Sequence, residues 1–113
     1  MGAASAFSTV KVRENGRDID LYVVGPEWYD PKDGADGFKV PYGGRSYLAT
    51  SNSLGPDNYY GVNLLGGSME YDVDLSQFGC SCNAALYLIM MPARDENGDL
   101  FPSELGDYYC DAN

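Results

Sequence analysis

The sequence contains no histidine. That absence removes Ser–His and Cys–His nucleophilic centres and the commonest zinc sites together. Basic residues are scarce, with 7 Lys and Arg against 17 Asp and Glu and a formal charge of −10. Such a field repels phosphate, so nucleic acid and anionic membrane surfaces are poor partners, while neutral glycans, cations and basic proteins remain. Long apolar runs are also missing. The longest, Ala84 to Met91, suits a buried strand and is far too short to insert in a membrane. The N-terminal Met1-Gly2-Ala3-Ala4-Ser5-Ala6 has neither the basic residues nor the apolar core of a signal peptide, and its serine sits one place early for myristoylation. Cysteines number only 3, Cys80, Cys82 and Cys110, so at least one thiol is unpaired within the chain, and they lack metal-finger spacing.

What is present points to strands. Hydrophobic residues make up 44% of the 113, enough for one modest domain. Asn15-Gly16 lies between two alternating runs, and a type I′ turn needs positive φ at both central positions. This predicts a hairpin of Thr9–Arg13 with Asp18–Val24. Gly25 to Gly37, rich in Pro, Asp and Gly, reads as a long surface loop holding Trp28 and Tyr29. Short strands are expected at Phe38–Val40 and Arg45–Thr50, around the Pro41–Gly44 turn, followed by a turn-rich connection from Ser51 to Tyr60. Met69 to Leu75 alternates strictly, which sets Glu70, Asp72 and Asp74 on one face and Met69, Tyr71, Val73 and Leu75 on the other. Ala84–Met91 reads as a strand covered on both faces. Arg94–Gly98 is a turn, and Pro102–Gly106 a possible helical turn. Many short strands between Gly/Pro turns predict an all-β fold, an antiparallel β-sandwich or jelly roll.

Three features carry candidate chemistry. Alternate carboxylates on a strand stand ~6.6 Å apart, near the separations used by glycosidases. Yet an acid and a nucleophile need distinct environments on opposite sides of one bond, and three acids in a row read better as a solvated face. Asp95-Glu96-Asn97-Gly98-Asp99 offers oxygens at alternate positions, but Leu100 and Gly106 stand where a calcium loop of the EF-hand type needs glycine and glutamate. A tight turn explains it better, so no metal and no cofactor is implied. The 10 tyrosines and single tryptophan offer flat rings for pyranose stacking and are equally ordinary strand formers.

The stretch Leu64-Leu65-Gly66-Gly67-Ser68-Met69-Glu70-Tyr71-Asp72-Val73-Asp74-Leu75-Ser76-Gln77, followed by Cys80-Ser81-Cys82-Asn83-Ala84-Ala85-Leu86-Tyr87, resembles glycoside hydrolase family 7. These are cellobiohydrolases and endoglucanases that cleave β-1,4-glucan with retention. Gly44-Arg45-Ser46-Tyr47-Leu48 resembles the family's Gly-x-Arg-x-Tyr-Leu strand, the Ser8–Val24 hairpin its early strand pair, and Tyr109-Cys110-Asp111 its Gly-Tyr-Cys-Asp segment. Much of Gly25–Gly37 has no counterpart.

The resemblance implies a partial concanavalin-like jelly roll over residues 1–113, an internal slice of the family domain. It implies that Arg45, Asn83, Tyr87, Tyr109 and Asp111 line a glucan-binding groove. Asn83 and Tyr87, 4 apart on an expected strand, share a face. The family's catalytic Glu-x-Asp-x-x-Glu is expected further along than this sequence extends. Glu70-Tyr71-Asp72 mimics its first half, but Leu75 occupies the place of the second glutamate, so no catalytic residue is expected here. The cysteines matching Cys80 and Cys110 bond, in the family, to cysteines this sequence does not contain. Cys82 replaces an apolar residue, Ala84 a glycine, and Val40 and Pro41 polar groove residues. The expected function is therefore a fragment or degenerate relative of a cellulase that keeps part of its groove. A non-catalytic subunit whose sheet is completed by a protein partner, and a free-standing carbohydrate-binding module, are the alternatives. Family members are secreted, although no leader is recognisable in this sequence.

Overall fold

The structure is a computed structural model, and it describes residues 7–25, 32–33, 37–40, 43–53, 55–103 and 107–109. Its elements are β1 (Phe7–Glu14), β2 (Arg17–Val24), β3 (Lys32–Asp33), β4 (Phe38–Lys39) and β5 (Tyr47–Ala49). No helix occurs among the described residues.

The Asn-Gly signal sets the hairpin. Asn15 and Gly16 take φ of 50° and 80°, the pair of positive values a type I′ turn requires. Pairing then runs from Glu14↔Arg17 to Phe7↔Val24, longer at both ends of β1 than the alternation indicated. β2 is the middle strand of an antiparallel sheet ordered β1-β2-β5, with Tyr22↔Ala49 and Val24↔Tyr47 joining the third strand. Being central, β2 carries most of the core: Leu21, Val23 and Val24 are buried, with Ala49 from β5 and Ala93 from the later chain.

Phe38–Lys39 and Tyr47–Ala49 are both extended, but they do not flank one turn as a pair. β4 pairs instead with β3, by Lys32↔Lys39 and Asp33↔Phe38. A strand therefore begins within the expected 25–37 loop, most of which, with Trp28 and Tyr29, lies outside the described residues. The 51–60 connection folds back on β5, with Tyr60 N–H donating to Leu48 O at 2.8 Å and Thr50 N–H to Asn58 O at 2.7 Å. The 94–98 turn closes as expected. Arg94 bridges Leu100, and Asp95 Oδ1 accepts the amides of Asn97 and Asp99 at 2.8 and 2.9 Å. Of the expected helical turn at 102–106, residues 104–106 lie outside the described residues.

Two expected strands are corrected. Met69–Leu75 and Ala84–Met91 belong to no sheet among the described residues. The supposed inward face is open, with Tyr71 56% and Val73 57% exposed, and Met90 in the supposedly covered run is 94% exposed. The alternation specifies a face, but a face is buried only when another strand or layer lies against it, and none does among the described residues.

Candidate functional site

The densest polar cluster forms where the start of β5 meets residues 103–109. Arg45 and Tyr47, two apart on extended chain, project to the same side. Asp107 is fully buried beneath them. Its Oδ2 accepts from Arg45 Nη2 at 2.8 Å and from the Tyr47 hydroxyl at 2.5 Å. Its Oδ1 accepts from the Ser103 hydroxyl, and the Ser103 amide donates to Asp107 O at 2.7 Å. The segment is held to the neighbouring chain by two further bonds. Ala93 N–H donates to Tyr108 O at 2.7 Å, and Tyr108 N–H donates to the hydroxyl of Tyr59, itself bridged to Ala49.

Three tyrosine rings surround this carboxylate. Tyr47 meets Tyr59 edge-on with ring centres 5.5 Å apart and lies 6.3 Å from the tilted ring of Tyr109. The Arg45 guanidinium lies 4.4 Å from the centre of the Tyr109 ring, within cation–π range. Its side chain is 31% exposed, with Nη2 on Asp107 and Nε buried without a hydrogen-bond partner.

The electrostatics follow from this packing. Burial alone would raise the Asp107 carboxyl, but hydrogen bonds from Ser103 and Tyr47 and the charge of Arg45 outweigh it and hold it below the usual carboxylate range. Tyr47 is pushed far up by burial, then by its bond to Asp107 and the nearby negative charge. Burial also raises Tyr59, against the lowering effect of the Tyr108 amide. Asp107 is therefore the anion of the cluster, and the Tyr47 hydroxyl a neutral donor to it.

Of the residues expected in a groove, Arg45 and Tyr109 are brought together. Asn83 and Tyr87 are exposed and sit outside the cluster, Tyr87 at 50%, while Asp111 lies outside the described residues. Asp107 and Ser103 were not foreseen. Asp107 lies 62 positions from Arg45 in a turn-like segment, and no spacing in the sequence announces a pairing over that distance. The carboxylates Glu70, Asp72 and Asp74 all face solvent, as a solvated row should. Cys80 and Cys82 are free, exposed thiols, and Cys110 lies outside the described residues.

The family model for glycosyl hydrolase family 7 matches residues 32–113, which takes in β5, the exposed run and the Asp107 segment. The chain belongs to glycosyl hydrolase family 7. Curated relatives agree. The chain is 37% identical over 70 residues to the probable endo-beta-1,4-glucanase celB of Neosartorya fischeri, and equally to that of Aspergillus fumigatus. Each match takes in 60% of this chain and 16% of the relative. Identity with endoglucanase EG-1 of Trichoderma longibrachiatum is 42% over 65 residues, 52% of this chain and 13% of that protein. The chain thus spans about a sixth of the length of the family 7 relatives it matches. No solved structure matches it. The Arg45–Tyr109 pair and Asp107 fall inside the matched residues, whereas the β1–β2 hairpin precedes them.

Proposed function

We propose that this chain forms one wall of the glucan-binding groove of a family 7 β-sandwich of the jelly-roll type, and that it holds sugar without a complete catalytic pair of its own. The observation that carries the reading is the guanidinium of Arg45 lying over the Tyr109 ring. A pyranose presents flat C–H faces to a ring of this kind and hydroxyls to a planar donor. Asn83, Tyr87 and Asp111 complete the proposed sugar-facing set. The ligand is a β-1,4-glucan, the substrate named by the relatives' titles. The sequence holds no Glu-x-Asp-x-x-Glu, and the carboxylates nearest to that pattern stand free in solvent. A retaining glycosidase requires two carboxyl groups about 5–5.5 Å apart across the scissile bond, one as nucleophile and one as acid and then base. The test is calorimetric titration with cello-oligosaccharides beside a fluorogenic cellobioside assay. Binding without turnover is expected, and turnover would show a working pair of acids in this chain.

A second reading draws on the 61–92 run. Its open apolar face suits a protein partner that completes the sheet, giving a non-catalytic subunit. That reading predicts co-purification with a larger polypeptide and no heat on sugar titration. A monomer that binds sugar unaided would instead favour a free-standing carbohydrate-binding module.

A further inference from the structure

We infer that Asp107 is a specificity-determining residue that makes the Arg45–Tyr109 wall select neutral sugars over carboxylate-bearing ones. The inference rests on the reading of that wall as sugar-facing and extends it to a substrate distinction. An arginine exposed on a binding surface ordinarily attracts carboxylates, because its planar fork matches them in two parallel hydrogen bonds. Here one arm of the fork, Nη2, is already engaged. Asp107 is fully buried, accepts from Arg45 Nη2 at 2.8 Å, and is kept ionised by the donors Ser103 and Tyr47. The guanidinium keeps its N–H donors and its place on the Tyr109 ring, but its charge is compensated from beneath. A part-exposed guanidinium balanced in this way offers hydrogen-bond donors with little net field, suited to hydroxyl groups. A uronic acid brought to the same wall meets Asp107 behind the arginine and a chain of charge −10 around it, and finds no uncompensated cation. Arg45 and Tyr109 touch the ligand in this account, and Asp107 acts through them.

The experiment titrates the whole chain calorimetrically with cellotetraose and with cellotetraose oxidised at C6 to carboxylates. At ~0.15 M salt the screening length is ~8 Å, so the distant surface charges are damped. Wild type is expected to bind the neutral tetramer and to discriminate against the acidic one. Asp107→Asn keeps one of the two oxygens, enough for Ser103 or Tyr47 but not both, and leaves Arg45 uncompensated; it should shift the neutral-to-acidic affinity ratio by about tenfold towards the acid. Glu96→Gln, on the exposed 94–98 turn, changes the net charge by the same amount and should leave the ratio where it was. An unchanged ratio in Asp107→Asn, or an equal shift in Glu96→Gln, overturns the inference while leaving sugar binding intact. Failure of wild type to bind either sugar overturns the inference and the groove reading together. Should Asp107→Asn not fold, the backbone amide resonance of Tyr109 in wild type decides instead. It should move with cellotetraose and stay in place with the oxidised sugar, and a larger movement with the acid overturns the inference.

Discussion

At the scale of single residues, the centre of the cluster is Asp107, a carboxylate that no sequence pattern announces. Arg45 and Tyr109 were legible because they sit in short segments with family-like surroundings, whereas Asp107 is one acid among 17 and its partners lie 60 and 62 residues away. Only the fold of the chain brings them together. Removing it should be costly, since Asp107→Ala leaves the half-buried Arg45 without its counter-charge and two hydroxyl donors without an acceptor. A loss of about 2–3 kcal/mol is expected by urea denaturation. The same residue sets the acid limit. Its pKa is lowered in the folded state, so its contribution is present above the unfolded value near ~4 and is lost as the pH falls through the folded one. Tyr47 and Tyr59 set the alkaline limit with the opposite sign. Their raised pKa values make the contribution complete below ~10 and progressively lost above it. Stability measured against pH should fall off on both sides of that window, and Tyr47→Phe should flatten the alkaline side. Tyr60, which donates to Glu14 at 2.5 Å and is pushed up to about 12 chiefly by that bond, titrates on an exposed surface and adds little.

At the scale of elements, the hairpin and the central run show what alternation can and cannot tell. The hairpin was readable because everything it needs is local: two alternating runs and an Asn-Gly turn whose backbone angles match. Gly16, at φ 80° with open space around it, should tolerate a side chain sterically but not conformationally, so Gly16→Val should cost about 1–2 kcal/mol. Met69–Leu75 has an equally clean pattern and no such self-sufficiency. A strand must borrow its hydrogen bonds and its cover from elsewhere, and between residues 61 and 92 the structure offers local turns such as Gly67 N–H to Leu64 O and Phe78 N–H to Leu75 O, but no strand ladder. Amide hydrogen exchange should separate the two kinds of segment. Val23, Val24 and Ala49 in the β1-β2-β5 sheet should be protected, and Tyr71, Val73 and Leu88 should exchange at rates near those of an open chain.

At the scale of the molecule, surface area gives the clearest measure of that missing cover. The accessible surface is 8669 Å², whereas a folded monomer of 12.3 kDa exposes about 6,100 Å². An excess of about 2,600 Å² on one chain compares with one partner's share of a large obligate interface, whose total over both partners runs to about 5,000 Å². The radius of gyration, 14.7 Å, is likewise above the roughly 13 Å of a compact domain of this length. Family 7 membership was legible from the Met69–Tyr87 block, whose residue order is distinctive, even though the fold it forms here is not self-contained. The candidate site was legible only in part, because it depends on contacts between the start of β5 and the chain's last described residues. The most direct test of the central claim, that the chain binds glucan without cleaving it, is a nuclear magnetic resonance titration of the labelled protein with cellotetraose. The account predicts that the signals of Arg45, Tyr47 and Tyr109 shift together while the sugar's own signals show the tetramer persisting. Unmoved protein signals, or the appearance of cellobiose, would contradict it.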